Sequence, residues 1–149
     1  MPLPTARFVV DQHQERRDFL LNLPGWPVCS GKLREALARA GVTNVQYFPV
    51  RLVTKSGKAV RSDDSVMNVV GTVKCLDWSR SKFADGSRAE GFAIRFEKLA
   101  LVASKLRQVK LARLGENPGV LIVSLEVRRV LEDAQVSGIR FTAPSDYRG

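Results

Sequence analysis

A chain of 149 residues with 44% apolar and 26% charged residues has the composition of an ordinary folded protein, and at this length roughly 68–70% of the unfolded chain's surface can be buried. No run of 18 apolar residues exists, which excludes a transmembrane helix, and Asp11, Glu15 and Asp18 stand where the apolar stretch of a signal peptide would lie. With a net charge of +9 and only two cysteines, Cys29 and Cys75, the sequence implies reduced thiols in the cytoplasm rather than a disulfide scaffold.

In chain order, residues 1–28 are the least regular part. Pro2 and Pro4 open them, a short helical stretch is expected from about Gln12 to Leu21, and Leu23-Pro-Gly-Trp-Pro27 then breaks any helix. Trp26, within that break, is expected to lie as a lid on the following helix. Ser30 is an N-cap, because its hydroxyl can accept an orphan amide of the first turn. Leu33, Ala36, Leu37 and Ala40 recur at helical spacing, and Gly41 suits a left-handed C-terminal cap.

Strands follow. Residues 45–54 alternate apolar and polar, Lys55-Ser-Gly-Lys58 is a turn, and Val66 to Leu76 is an almost continuously apolar strand expected at the centre of a sheet. Ala84-Asp-Gly-Ser87 marks another turn. Gly91 to Phe96 sets Phe92, Ile94 and Phe96 against Ala93 and Arg95, and Lys98 to Val102 either extends that strand or begins the next. Val109, Leu111 and Arg113 indicate a further strand, closed by Gly115-Glu-Asn-Pro-Gly119, and Val120 to Val123 is another. A second helix is expected over Ser124 to Ala134, with Gly138 to Thr142 as a final strand.

The two helical segments form a repeat. Ser30, Leu33, Leu37, Ala40, Val42, Val45 and Tyr47 recur 94 positions later as Ser124, Val127, Leu131, Ala134, Val136, Ile139 and Phe141. Each copy reads as capped helix, tight turn and strand, which is a packing device rather than a reaction centre. Runs of strands flanked by helices give an α+β fold. The expected architecture is a mostly antiparallel sheet of about five to seven strands with two main helices packed on it. Residues 29–149 would form a single domain, preceded by the irregular segment 1–28.

No catalytic constellation is present. A single histidine removes most general-base schemes, and there is no nucleophile elbow or phosphate-cradling glycine loop. Asp63 and Asp64 are adjacent, so in extended chain their carboxylates face opposite sides, as loop solubilisers. Cys75 reads as a small core residue. His13, Cys29 and Cys75 lack the paired spacing of a zinc site, and neither a metal nor another cofactor is expected.

Three segments carry a family resemblance: Ser30 to Pro49, Met67 to Ser81, and Gly119 to Ala134 with the Gly-Ile-Arg-Phe that ends at Phe141. Together they resemble the immunity-protein family of bacterial polymorphic toxin systems first defined in myxobacteria, formerly a domain of unknown function. The similarity spans about residues 28–144. It implies a non-enzymatic cytoplasmic protein whose partner is a cognate toxin domain, neutralised by a non-covalent complex.

The candidate interface is the run Leu76 to Phe83, with Asp77, Trp78, Arg80, Lys82 and Phe83 as partner-binding residues and Trp78 and Arg80 as anchors. In the alternative, Trp78 covers a core edge and Asp77 caps a turn. The charge is uneven: residues 31–61 carry seven Lys or Arg against Glu35, and residues 91–113 carry six against Glu97. A nucleic-acid-binding domain that uses these blocks is therefore the second functional reading, although strand alternation places the Phe92 and Phe96 rings opposite Arg95; solvated basic faces are the plain alternative.

Overall fold

The computed structural model describes residues 6–10, 15–21, 26–60, 62–89, 91–93 and 95–149. His13, Ile94 and the start of the expected first helix (residues 12–14) lie outside them. The fold is α+β and forms two compact units, Met1–Asn68 with Arg129–Ile139, and Val69–Arg128 with Arg140–Gly149.

The first unit holds β1 (Ala6–Val9), β2 (Phe19–Leu20), β3 (Val28–Cys29), α1 (Gly31–Arg39), β4 (Val45–Val53), β5 (Ala59–Val60) and most of β6 (Ser65–Val69). Its sheet runs β1-β4-β6-β3-β2, with β5 also on β4. The β1–β4 pairing is parallel and the β2–β3, β3–β6 and β4–β5 pairings are antiparallel. Apolar spacing buries Leu33, Ala36 and Leu37 of α1 and its C-cap Ala40, and Val28, Cys29, Leu52, Val53 and Met67 are buried from the strands. Each such large side chain contributes roughly 1.5–3 kcal/mol through removal from water.

The second unit holds β7 (Thr72–Val73), β8 (Lys82–Phe83), β9 (Arg88–Ala89), β10 (Phe92–Ala93), β11 (Phe96–Lys98), β12 (Leu111–Leu114) and β13 (Asn117–Val123). They form a β13-β12-β7 sheet and the two-stranded pairs β10-β9 and β11-β8. Its core gathers Cys75, Leu76, Ala93, Phe96, Leu99, Leu114 and Val120. The second helix, α2 (Leu125–Asp133), contains the boundary between the units.

The 94-residue repeat is reproduced bond for bond. Ser30 Oγ accepts the Leu33 N–H at 3.2 Å, and Ser124 Oγ accepts the Val127 N–H at the same distance. Both helices end in a Schellman motif: Val42 N–H to Leu37 O (3.0 Å) matches Val136 N–H to Leu131 O (3.1 Å), and the inner bonds Gly41–Ala38 and Gln135–Glu132 also correspond. The left-handed residue is Gly41 (φ 76°) in the first copy and Gln135 (φ 53°) in the second. Arg34 lies 5.8 Å from the Tyr47 ring centre, and Arg128 lies 5.7 Å from that of Phe141.

Beyond these bonds the copies diverge. Val45 and Tyr47 enter β4, whereas residues 138–142 form no strand. The backbone there has other partners: the Ser137 carbonyl accepts the Phe19 N–H at 3.2 Å, and the Ser137 N–H donates to Asp18 Oδ2 at 2.8 Å. The same bonds replace the expected first helix, because residues 15–21 are non-helical and Phe19–Leu20 pairs with β3. The long strand expected over 66–76 is broken at Gly71, whose φ of 98° divides it into β6 and β7. Trp26 meets Phe8 of β1 edge-on at 6.4 Å.

Candidate functional site

The run from Leu76 to Phe83 leaves the core of the second unit, turns, and returns as β8. Asp77 makes the turn. Its Oδ1 accepts the Ser79 hydroxyl at 2.8 Å and the N–H groups of Ser79 and Arg80, both at 3.1 Å. The Ser79 hydroxyl foremost, with the two amides and Arg80, holds its carboxyl below the usual range. Ser81 is buried and clamps the other side: it accepts the Ala100 N–H at 2.9 Å and donates to the Ala100 carbonyl at 3.2 Å. The loop is thus rigidly held, which suits an interface because little ordering entropy is then lost on binding.

Trp78 and Phe83 are half-buried and pack on the core. A chain of rings runs inward: Trp78–Phe83 at 5.4 Å, Phe83–Phe96 at 5.8 Å and Phe96–Tyr147 at 6.2 Å. The Arg88 guanidinium lies 5.0 Å from the Trp78 ring centre and 5.4 Å from that of Phe83, a cation–π arrangement. Arg80, Lys82 and Arg88 are exposed. Asp77 therefore does cap a turn and Trp78 does cover a core edge, while Arg80 and Lys82 stand on the surface beside them.

Antiparallel pairing of β8 with β11 adds residues that the linear sequence keeps apart. Phe83 faces Phe96, and Lys82 faces Lys98 across an irregular register. The Arg95 carbonyl accepts the Ala84 N–H at 3.3 Å, which continues the ribbon by one residue. With Phe83 and Phe96 turned inward, strand alternation puts Lys82 and Arg95 on the opposite side. Sequence reasoning missed Arg88, Arg95 and Lys98 as neighbours of the loop. The signal available was the pair of apolar residues Phe83 and Phe96, each next to a cation and set either side of the Asp-Gly turn.

Other reactive-looking groups have structural partners. Asp64 is buried and ion-paired with Arg16, so it is no loop solubiliser. Cys29 is fully buried, and burial foremost, with Asp64 and Asp63 nearby, pushes its thiol up to about 11. Burial and then Glu116 raise the Cys75 thiol likewise. Both are protonated near neutral pH and poor nucleophiles. Among the described residues no three His, Cys, Asp or Glu side chains are placed to hold a metal ion.

A family model described as "Immunity protein family (Imm11)" matches residues 3–146 of the chain. No curated protein matches it.

Proposed function

The chain belongs to the Imm11 immunity protein family, and from that premise we propose that it binds a cognate bacterial toxin domain in the cytoplasm and neutralises it by forming a non-covalent complex. The observation that carries this reading is a match to an immunity family across nearly the whole chain. The interface we assign is the 77–83 loop. Trp78 offers a half-buried ring on a rigid base, and Arg80 and Lys82 offer exposed charge. Interfaces concentrate their energy in a few aromatic and Arg anchors, and charge around them accelerates encounter.

The test is co-expression with a toxic domain identified in a gene beside the one for this chain. Wild type should rescue growth and co-purify with that domain. Arg80→Ala, at an exposed position, should leave the fold intact and weaken the complex, while Trp78→Ala needs its melting temperature measured alongside. Rescue and binding unaltered in a folded double variant would remove the loop from the interface.

Nucleic-acid binding is the second reading, favoured by the net charge of +9. Against it, Phe96 is 4% exposed and engaged with Phe83 and Tyr147, and of the two rings flanking Arg95 it is Phe92 that is open. Salt separates the two. Affinity for a nucleic acid through many phosphate contacts falls by roughly 10³–10⁵ between about 50 and 200 mM salt, and a packed protein complex does not follow that slope.

A further inference from the structure

We infer that the outer side of the β8–β11 ribbon, formed by Lys82, Arg95 and Lys98, docks an acidic segment of a protein partner. Its identification with the toxin rests on the function proposed above. Lys82 and Lys98 are partners across the irregular step of the β8–β11 register, and like charges brought together on paired strands repel.

Other cations have partners that explain them. Arg16 pairs with Asp64, Lys32 with Asp18, and Lys110 with Glu126. Arg113 donates to the Val69 and Pro118 carbonyls, and Arg88 lies on two rings. Lys82, Arg95 and Lys98 are exposed and, among the described residues, make no ion pair, although Asp85 and Glu97 stand in the same stretch. Three cations against Glu97 on one short ribbon leave a net positive field that a partner carrying carboxylates would relieve.

The surroundings favour carboxylates over a nucleic acid. Single-stranded nucleic acid binds such a surface by stacking its bases on open ring faces. Here Trp78 is contacted by Arg88 and Phe83, and Phe83 by Arg88, Trp78 and Phe96. The Arg88 guanidinium lies against both rings, so the ring area left open for a stacking base beside these cations is reduced, although Trp78 stays half-exposed.

The test measures binding of a labelled oligoglutamate peptide and of a short DNA duplex to the full chain, at about 150 mM salt to suppress long-range attraction. Lys82→Glu with Arg95→Glu and Lys98→Glu should weaken the peptide by about tenfold or more. A control of equal net charge at exposed positions, Arg51→Glu with Lys55→Glu and Lys58→Glu, should leave it unchanged. Absence of peptide binding to wild type, an equal loss in the control, or tighter binding of the duplex than of the peptide would each overturn the inference. Lys98→Glu alone should weaken the peptide yet raise the melting temperature; a lowered melting temperature would show that the lysine pair serves the fold, and would also overturn it. The toxic domain supplies the separating arm. Its capture by wild type and triple variant alike refutes the docking face alone, whereas no capture by a wild type that binds the peptide refutes the immunity reading alone.

Discussion

Gly138→Ala should be among the most destabilising small substitutions in this chain. Gly138 has φ +84°, and an ideal Cβ there would sit 2.2 Å from the Phe19 carbonyl oxygen, 3.1 Å from Arg17 Cβ and 3.2 Å from Phe19 C. The left-handed backbone by itself costs an L-residue roughly 1–2 kcal/mol. The clash adds more because the obstacle is backbone. Phe19 is paired with Cys29 and donates to Ser137, while Asp18 accepts the Ser137 N–H and hydroxyl at 2.8 and 3.0 Å. Relief requires β2 and residue 137 to separate, and a hydrogen bond to a charged group contributes about 1.5–3 kcal/mol. The expected loss is roughly 3–5 kcal/mol. Gly57 is a matched control, with the same φ of +84° and nothing within 4 Å of its ideal Cβ, so Gly57→Ala should cost only the backbone share, about 1–2 kcal/mol. Denaturant melts of the two variants, fitted with a common slope, read the difference. A Gly138→Ala midpoint equal to that of Gly57→Ala would refute the close approach of residue 138 to β2.

Other outcomes follow from the repeat and from Asp18. Gln135→Gly should stabilise the chain by about 0.5–1 kcal/mol, because glycine adopts the left-handed cap without a Cβ penalty but adds disorder to the unfolded state; the converse Gly41→Gln should destabilise by a similar amount, and thermal melts in which both changes acted in the same direction would contradict the correspondence. Ser30→Ala and Ser124→Ala should each cost about 1 kcal/mol, with Ser30 the larger because its hydroxyl also donates to Asp18 at 2.7 Å; equal costs in denaturant melts would deny that bond a role. At Asp18, burial pushes the carboxyl up, but bonds from the Ser137 backbone, Ser30 and the Ser137 hydroxyl, with Lys32 nearby, outweigh it and leave the group below 3.8. A depressed carboxylate contributes stability above its unfolded value and loses it as pH falls through the folded value. The melting temperature should therefore drop as pH is lowered through and below 3.8, and Asp18→Asn should flatten that dependence; an identical acid profile in the variant would count against it.

Much of the helical part of the fold is legible in the sequence because its determinants are local. A serine cap, apolar spacing and a glycine after the last turn specify α1 within a dozen residues. The same pattern located α2, even though Gln135 takes the position that Gly41 holds in the first copy. The departures arise where partners are distant in sequence. Ile139 and Phe141 alternate as a strand would, but the Ser137 backbone is committed to Asp18 and Phe19, 119 and 118 positions away, and the segment forms no ladder. Phe19 and Leu20 look helical in isolation and become a strand through β3. At the candidate site the Asp77 turn and the Trp78 packing are local and were readable as one of two alternatives. The cation cluster was not, because Lys82 lies in a near-neutral stretch and meets Lys98 of a basic block only through strand pairing.

On the proposed reading, this protein acts by occupying a toxin with its folded surface. The direct measurement is a titration of the purified chain into a toxic domain identified in a neighbouring gene, with toxin activity and intact mass read together. Activity should fall to zero at saturation, the toxin's mass should be unchanged, and activity should return when the partners are separated. Toxin that stays fully active in excess chain, or that stays inactive with an altered mass after separation, would contradict it.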